Sequence, residues 1–142
     1  MVKSVLSPFA EPVYGAIRIV TGLMFSFHGM QKILGVLRPY PAPLLWSQMW
    51  FGGMIELIAG LLIAIGLFTR CAAFVASGTM AVAYWQFHVF GNKEVHGISQ
   101  FIPGANNGTP AVLYCFLFLY VACKGAGMWS IDAKREKAAN AS

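Results

Sequence analysis

Four apolar runs, separated by short polar or proline-rich stretches, dominate the hydropathy pattern of this chain. A helix needs about 20 mostly apolar residues to cross the hydrocarbon core of a bilayer. The first run extends from about Val13 to Leu34 and opens behind Pro12, a residue suited to a first helical turn. Arg38-Pro39-Tyr40-Pro41-Ala42-Pro43 follows, and this proline spacing predicts a short extended loop. The second run covers about Gln48 to Phe68 and stops at Thr69-Arg70. The third starts near Cys71 and reaches about Phe90, so the turn between these two runs is tight. A polar, glycine-rich loop over residues 91–109 contains Pro103-Gly104 and Asn106-Asn107-Gly108. Pro110 opens the fourth run, which ends near Lys124-Gly125, and the charged tail 132–142 is predicted to fray.

Composition strengthens the reading of these runs as spans. The 142 residues are 58% hydrophobic and only 11% charged, with a mean hydropathy of +0.65. Soluble domains carry about 25% charged residues, and a small domain leaves much of its surface exposed. The expected architecture is one all-α domain over 1–142, a transmembrane four-helix bundle with spans at about 13–34, 48–68, 71–90 and 110–125. The first run is too long for a signal peptide, and no small-residue cleavage site follows it.

Charge placement predicts the orientation. With an even number of spans, Lys3, Arg70, Lys124, Lys134, Arg135 and Lys137 fall on one side, against Lys32, Arg38 and Lys93 on the other. The positive-inside rule puts both termini in the cytoplasm of a cell-membrane protein. Tyr40, Trp46, Trp50, Trp85 and Trp129 lie near span ends, where amphipathic rings anchor. Cys71, Cys115 and Cys123 form no CxxC pair and no zinc spacing with histidine, and are expected to be small buried hydrophobes. The missing pair argues against a quinone-linked disulfide-forming enzyme.

Ionisable groups inside spans are costly and ask for a partner or a purpose. Arg18, Thr21, Phe25, His28 and Lys32 recur at steps of three and four, one seam of the first helix. Gly53, Glu56 and Gly60 share a face of the second, where small residues admit a neighbouring backbone. Ser77, Ala81, Tyr84 and His88 line the third. From the helical rise, His28 lies roughly 9 Å and Glu56 roughly 12 Å below the outer ends of their helices. His28, Glu56, Tyr84 and His88 are therefore expected to converge in the outer half, with Arg18 deeper and reaching toward Glu56. Such a cluster can hold a quinone headgroup by hydrogen bonds and pass its protons, since imidazole titrates near neutrality. A haem between the two histidines is disfavoured by their different depths. The alternative is structural: Glu56 pairs with Arg18 or His28 and sets helix register, while Lys32 and His88 snorkel to the interface.

At these residues the chain resembles the DoxX family of small four-span membrane proteins. The matching pieces are Arg18-Ile19-Val20-Thr21-Gly22 leading to His28-Gly29-Met30-Gln31-Lys32, then Gly53-Met54-Ile55-Glu56 with Gly60. Gly66-Leu67-Phe68-Thr69-Arg70 and the closing Gly125-Ala126-Gly127-Met128-Trp129-Ser130-Ile131-Asp132 also fit. Where the family commonly opens the last span with a glutamate, this chain has Thr109-Pro110. The resemblance implies the membrane component of a redox system, quinone-linked in some members, with Arg18, Glu56 and His28 as the working groups and a soluble oxidoreductase as partner. A non-enzymatic anchor or scaffold is the second reading. A small transporter is a third, weakened by the lack of inverted repeats or broken half-helices. Homo-oligomers fit any of these. Nothing in the chain marks a metal, nucleotide or nucleic-acid site, because the glycine-rich loop lacks the strand-and-helix context of a phosphate loop.

Overall fold

The computed structural model describes residues 5–141; Lys3, counted above in the charge asymmetry, lies outside them. Every regular element among these residues is helical. Helix α1 spans Ala10–Leu34, α2 Gln48–Ile65, α3 Thr69–Ala83, α4 Thr109–Lys124 and α5 Ile131–Ala139. A π-helical turn, Tyr84–Val89, prolongs α3, and short 3-10 turns occupy Ser7–Phe9 and Gly97–Phe101.

The boundaries follow local chemistry. Gly35 ends α1 with a left-handed φ of 73°, the usual glycine stop. Ser47 caps α2 by accepting a hydrogen bond from the Trp50 amide at 3.2 Å. Helix α2 ends three residues before the expected Phe68, because Gly66 and Phe68 both take left-handed conformations. The tail expected to fray is instead helical: Ser130 Oγ accepts from the Ala133 amide at 3.2 Å and starts α5.

Helices α1 and α2 run antiparallel with their backbones in contact. A Cβ placed on Gly22 would stand 2.7 Å from the Ala64 nitrogen, and one on Gly60 2.5 Å from the Ser26 nitrogen. Helix α3 lies along α4 and touches α2 beyond the hairpin. Aromatic rings fill the space between α1 and α4: Phe25 packs on Phe118 at 4.8 Å between centroids, and Tyr14 meets Tyr120 edge-on at 5.8 Å.

Burial is partly inverted relative to a soluble protein, around a core that also holds Phe25, Ile63 and Phe118. Arg18, Ser26, Glu56, Thr69, Ser77 and Asn106 are buried, whereas Val20, Met24, Ile58, Phe74, Leu113 and Phe116 are exposed. By length and composition alone, α2 is the helix among the described residues that qualifies as a membrane span, and α4 is apolar but shorter.

Candidate functional site

A cavity of about 370 Å³ opens where α1, α2, α4 and the end of α3 meet. Phe25, Met80, Ala111 and Tyr114 give it an apolar floor and wall. His28 and Lys32 enter from α1, Glu56 and Gln48 from α2, and Gln86 and His88 from the π-helical turn. Such a turn inserts an extra residue into the helical repeat and often accompanies functional sites. Gln48 donates to Gln86, joining α2 to this turn.

Glu56 is the chemical centre of the cavity. The residue is only 3% exposed. Its Oε1 lies 2.5 Å from Lys32 Nζ, and its Oε2 is buried with no hydrogen-bond partner. A buried carboxylate oxygen without a donor is costly in free energy. The partner of Glu56 is thus Lys32, not the expected Arg18 or His28. Both Lys32 and Glu56 were visible in the sequence, but only the antiparallel packing of α1 on α2 brings them face to face.

The other expected site residues divide. His28 lines the cavity from α1. His88 also lines it, and its Nδ1 sits 3.2 Å from the Asn106 carbonyl oxygen. A carbonyl only accepts, so Nδ1 is the donor in this contact. Tyr84 is outside the cavity lining. It stacks behind His88, with ring centroids 6.4 Å apart, and donates its hydroxyl to the Phe101 carbonyl at 2.9 Å. Asn106, which carried no functional reading in the sequence, is fully buried and organises the loop above the site. Its Nδ2 donates to the Gln100 carbonyl at 2.7 Å, and its Oδ1 accepts from the Gly108 amide at 2.8 Å. Pro110 lines the cavity at the departure from the family pattern, so an apolar ring occupies that stretch of wall.

Arg18 lies elsewhere. It is fully buried, and its Nη1 donates to the Ile63 and Ala64 carbonyls at 2.5 and 2.8 Å. Its Nη2 donates to the Met128 and Trp129 carbonyls at 3.1 and 3.0 Å. The expected reach toward Glu56 is absent. The guanidinium instead satisfies the orphan carbonyls ending α2, where the helix dipole favours a cation, and ties them to the segment before α5. Arg70 does the same for α4, donating to the Ala122, Cys123 and Lys124 carbonyls at 2.9, 2.5 and 3.2 Å.

The closing motif completes this lower knot. Asp132 accepts from the Phe68 and Thr69 amides at 3.1 and 2.9 Å and from the Thr69 hydroxyl at 2.8 Å. It thereby caps α3 from a distant part of the chain, and its own amide donates to the Gly66 carbonyl at 2.9 Å. Burial raises the Asp132 pKa, but the Thr69 and Phe68 hydrogen bonds and the nearby Arg135 outweigh it and hold the carboxyl below its ordinary value. Gly125 and Gly127 adopt φ of 93° and 62°, conformations open to glycine. The Gly125 carbonyl accepts the Tyr14 hydroxyl at 2.5 Å. Most motif residues therefore build the lower end of the fold; His28, Lys32 and Glu56 face the cavity.

The DoxX family profile matches residues 14–89, which carry Arg18, His28, Lys32, Glu56, the hairpin and the π-helical turn. An uncharacterized protein of Haemophilus influenzae is 38% identical over 125 residues, covering 83% of this chain and 87% of that relative. No solved structure matches. The chain belongs to the membrane-associated DoxX family.

Proposed function

We propose that the chain is an integral membrane protein in which α1–α4 cross the bilayer as a four-helix bundle, both termini lying on the cytoplasmic side. The partly inverted burial pattern supports this: Phe74, Leu113 and Phe116 face outward while Arg18 and Glu56 face inward, as lipid rather than water demands. Arg70, Lys124, Arg135 and Lys137 gather at one end, the arrangement the positive-inside rule requires of a cytoplasmic face.

Within that frame the cavity binds a quinone headgroup, and the chain serves as the membrane component of a redox system fed by a soluble oxidoreductase. The observation that carries this reading is the buried, unpartnered Oε2 of Glu56 beside a cavity that also gathers His28, Lys32 and His88. Quinone reduction takes up protons together with electrons. Glu56 and the Nε2 of neutral His88 provide acceptors for the hydroxyls of the reduced ring, and Lys32 provides a donor for the carbonyl of the oxidised one. The Lys32–Glu56 pair also supports a second reading, in which the site is a neutral structural lock of a membrane anchor.

Quinone extracted from protein purified in mild detergent separates the two. We expect quinone to accompany the native chain and to fall about tenfold in Glu56→Gln, the loss of roughly one charge-assisted hydrogen bond, at equal folded yield. Equal quinone in both proteins, or none in either, favours the structural lock.

A further inference from the structure

Two further cavities meet at the lower end of the α2–α3 hairpin. The first is an apolar groove of about 330 Å³ between the outer faces of α2 and α3, lined by Met54, Ile58, Leu62 and Val75 among others, with the small residues Ala59 and Ala72 at its floor. The second is a cavity of about 640 Å³ whose charged lining residues are Arg70, Lys124, Arg135 and Lys137 together with Glu11, Asp132 and Glu136. Phe68 and Cys71 belong to both, so the groove and the cavity adjoin at these two residues.

The charges in the lower cavity are unequally committed. Asp132 is occupied by Phe68 and Thr69, Glu11 is bound to Lys124 at 2.5 Å, and Arg70 is spent on three carbonyls. Arg135, which also bears on Asp132, and Lys137 line the cavity with Glu136 opposing them. Docking of Asp132 on α3 positions them, and the Arg135 guanidinium stands 5.8 Å from the Phe68 ring centroid. Phe68 is thus a hinge point with a cation on one side and hydrocarbon on the other.

From this juxtaposition we infer that the lower end of α2–α3, with α5 as its lid, is a binding site for one anionic phospholipid. The phosphate sits in the cavity against Arg135 and Lys137, and an acyl chain lies in the groove from Phe68 toward Met54. The inference rests on the membrane reading above, though not on the quinone site. Charge complementarity selects the occupant. A basic segment at a membrane surface attracts anionic headgroups, and an acyl chain prefers an apolar groove whose small floor residues let it lie close.

Native mass spectrometry of the full chain in mild detergent tests it, titrating phosphatidylglycerol, phosphatidylethanolamine of the same acyl chains, and glycerol phosphate. We expect phosphatidylglycerol to be retained about tenfold more tightly than phosphatidylethanolamine, from two cations near the headgroup. In Arg135→Gln/Lys137→Gln, both surface changes on α5, the preference should fall to about twofold or less. Glycerol phosphate should not bind at the same concentrations, because it has no chain for the groove. Equal retention of the two lipids, or a preference that survives the double variant, overturns the proposal. Tight binding of glycerol phosphate also overturns it, reassigning the cavity to a soluble anion. Alkaline extraction of vesicles carrying the protein is read alongside: release into the wash defeats the membrane reading itself, whereas retention without lipid preference defeats this inference alone.

Discussion

Arg18 and Glu56 are both buried charges, yet they answer burial differently. Arg18 has no counter-ion among its hydrogen-bond partners; its two Nη atoms donate to four backbone carbonyls, and its Nε stays without a partner. Glu56 has a counter-ion in Lys32 and still keeps one oxygen unsatisfied. What separates them is place: Arg18 clamps the end of α2 to the segment before α5, and Glu56 borders the cavity. Arg18→Gln is therefore expected to destabilise the protein by on the order of 3 kcal/mol, since carbonyls are left without donors in a dry setting. Thermal unfolding in detergent reads this directly, and an unchanged midpoint would remove the clamp from the argument. Glu56→Gln, whose effect on bound quinone is given above, keeps the side-chain volume but removes the counter-ion of Lys32, so its binding effect is read at equal folded yield.

Between elements, two contacts decide the arrangement. The α1–α2 seam depends on glycines because backbone meets backbone there, and a new Cβ has no flexible neighbour to displace. Gly60→Ala, with its Cβ 2.5 Å from the Ser26 nitrogen, is expected to cost about 1–3 kcal/mol. Gly78→Ala on α3 meets nothing within 4 Å and should be neutral or stabilising by up to about 1 kcal/mol. Equal effects of the two substitutions, measured by the same unfolding assay, would refute close packing at the seam. The Asp132 cap of α3 adds a pH dependence. Its folded pKa is depressed, so its contribution is fully present above the ordinary carboxylate value near about 4. That contribution is lost as pH falls through the depressed folded value. Hydrogen exchange at the Phe68 and Thr69 amides should accelerate over this acidic range in the native chain. In Asp132→Asn it should be faster at neutral pH and no longer follow this titration.

For the whole molecule, the disposition across the bilayer is the property to test. In a chain with Cys71, Cys115 and Cys123 replaced by alanine, Lys93→Cys in the upper loop should react with an impermeant maleimide on intact cells. Ala138→Cys at the end of α5 should react only after permeabilisation. The reverse pattern would invert the orientation, and labelling of both from outside would contradict an even number of spans. Orientation also bears on the lipid site, since α5 and its cations must then face the inner leaflet, where anionic lipids give the surface its negative potential.

The all-helical character was legible in the sequence, because four long apolar runs broken by proline and glycine leave few other ways to satisfy a backbone. So were the groups worth watching: an arginine, a glutamate and histidines in otherwise apolar helices stand out on the cost of burying them. Their partners were not legible. Helical spacing shows that Arg18, His28 and Lys32 share a seam, but not which of them meets Glu56. That choice is made by the depth at which Gly22 and Gly60 let α1 sit against α2. The role of the closing motif was equally hidden, since Asp132 serves amides 63 and 64 residues away and its use exists only once the chain returns to the hairpin. The sequence by itself determined which segments are helical and which polar groups must be paired, because these depend on local propensity and on the solvent each residue tolerates. Tertiary structure alone decided the pairings, the unsatisfied oxygen of Glu56 and the meeting of groove and cavity at Phe68, because each depends on distances between segments remote in the chain.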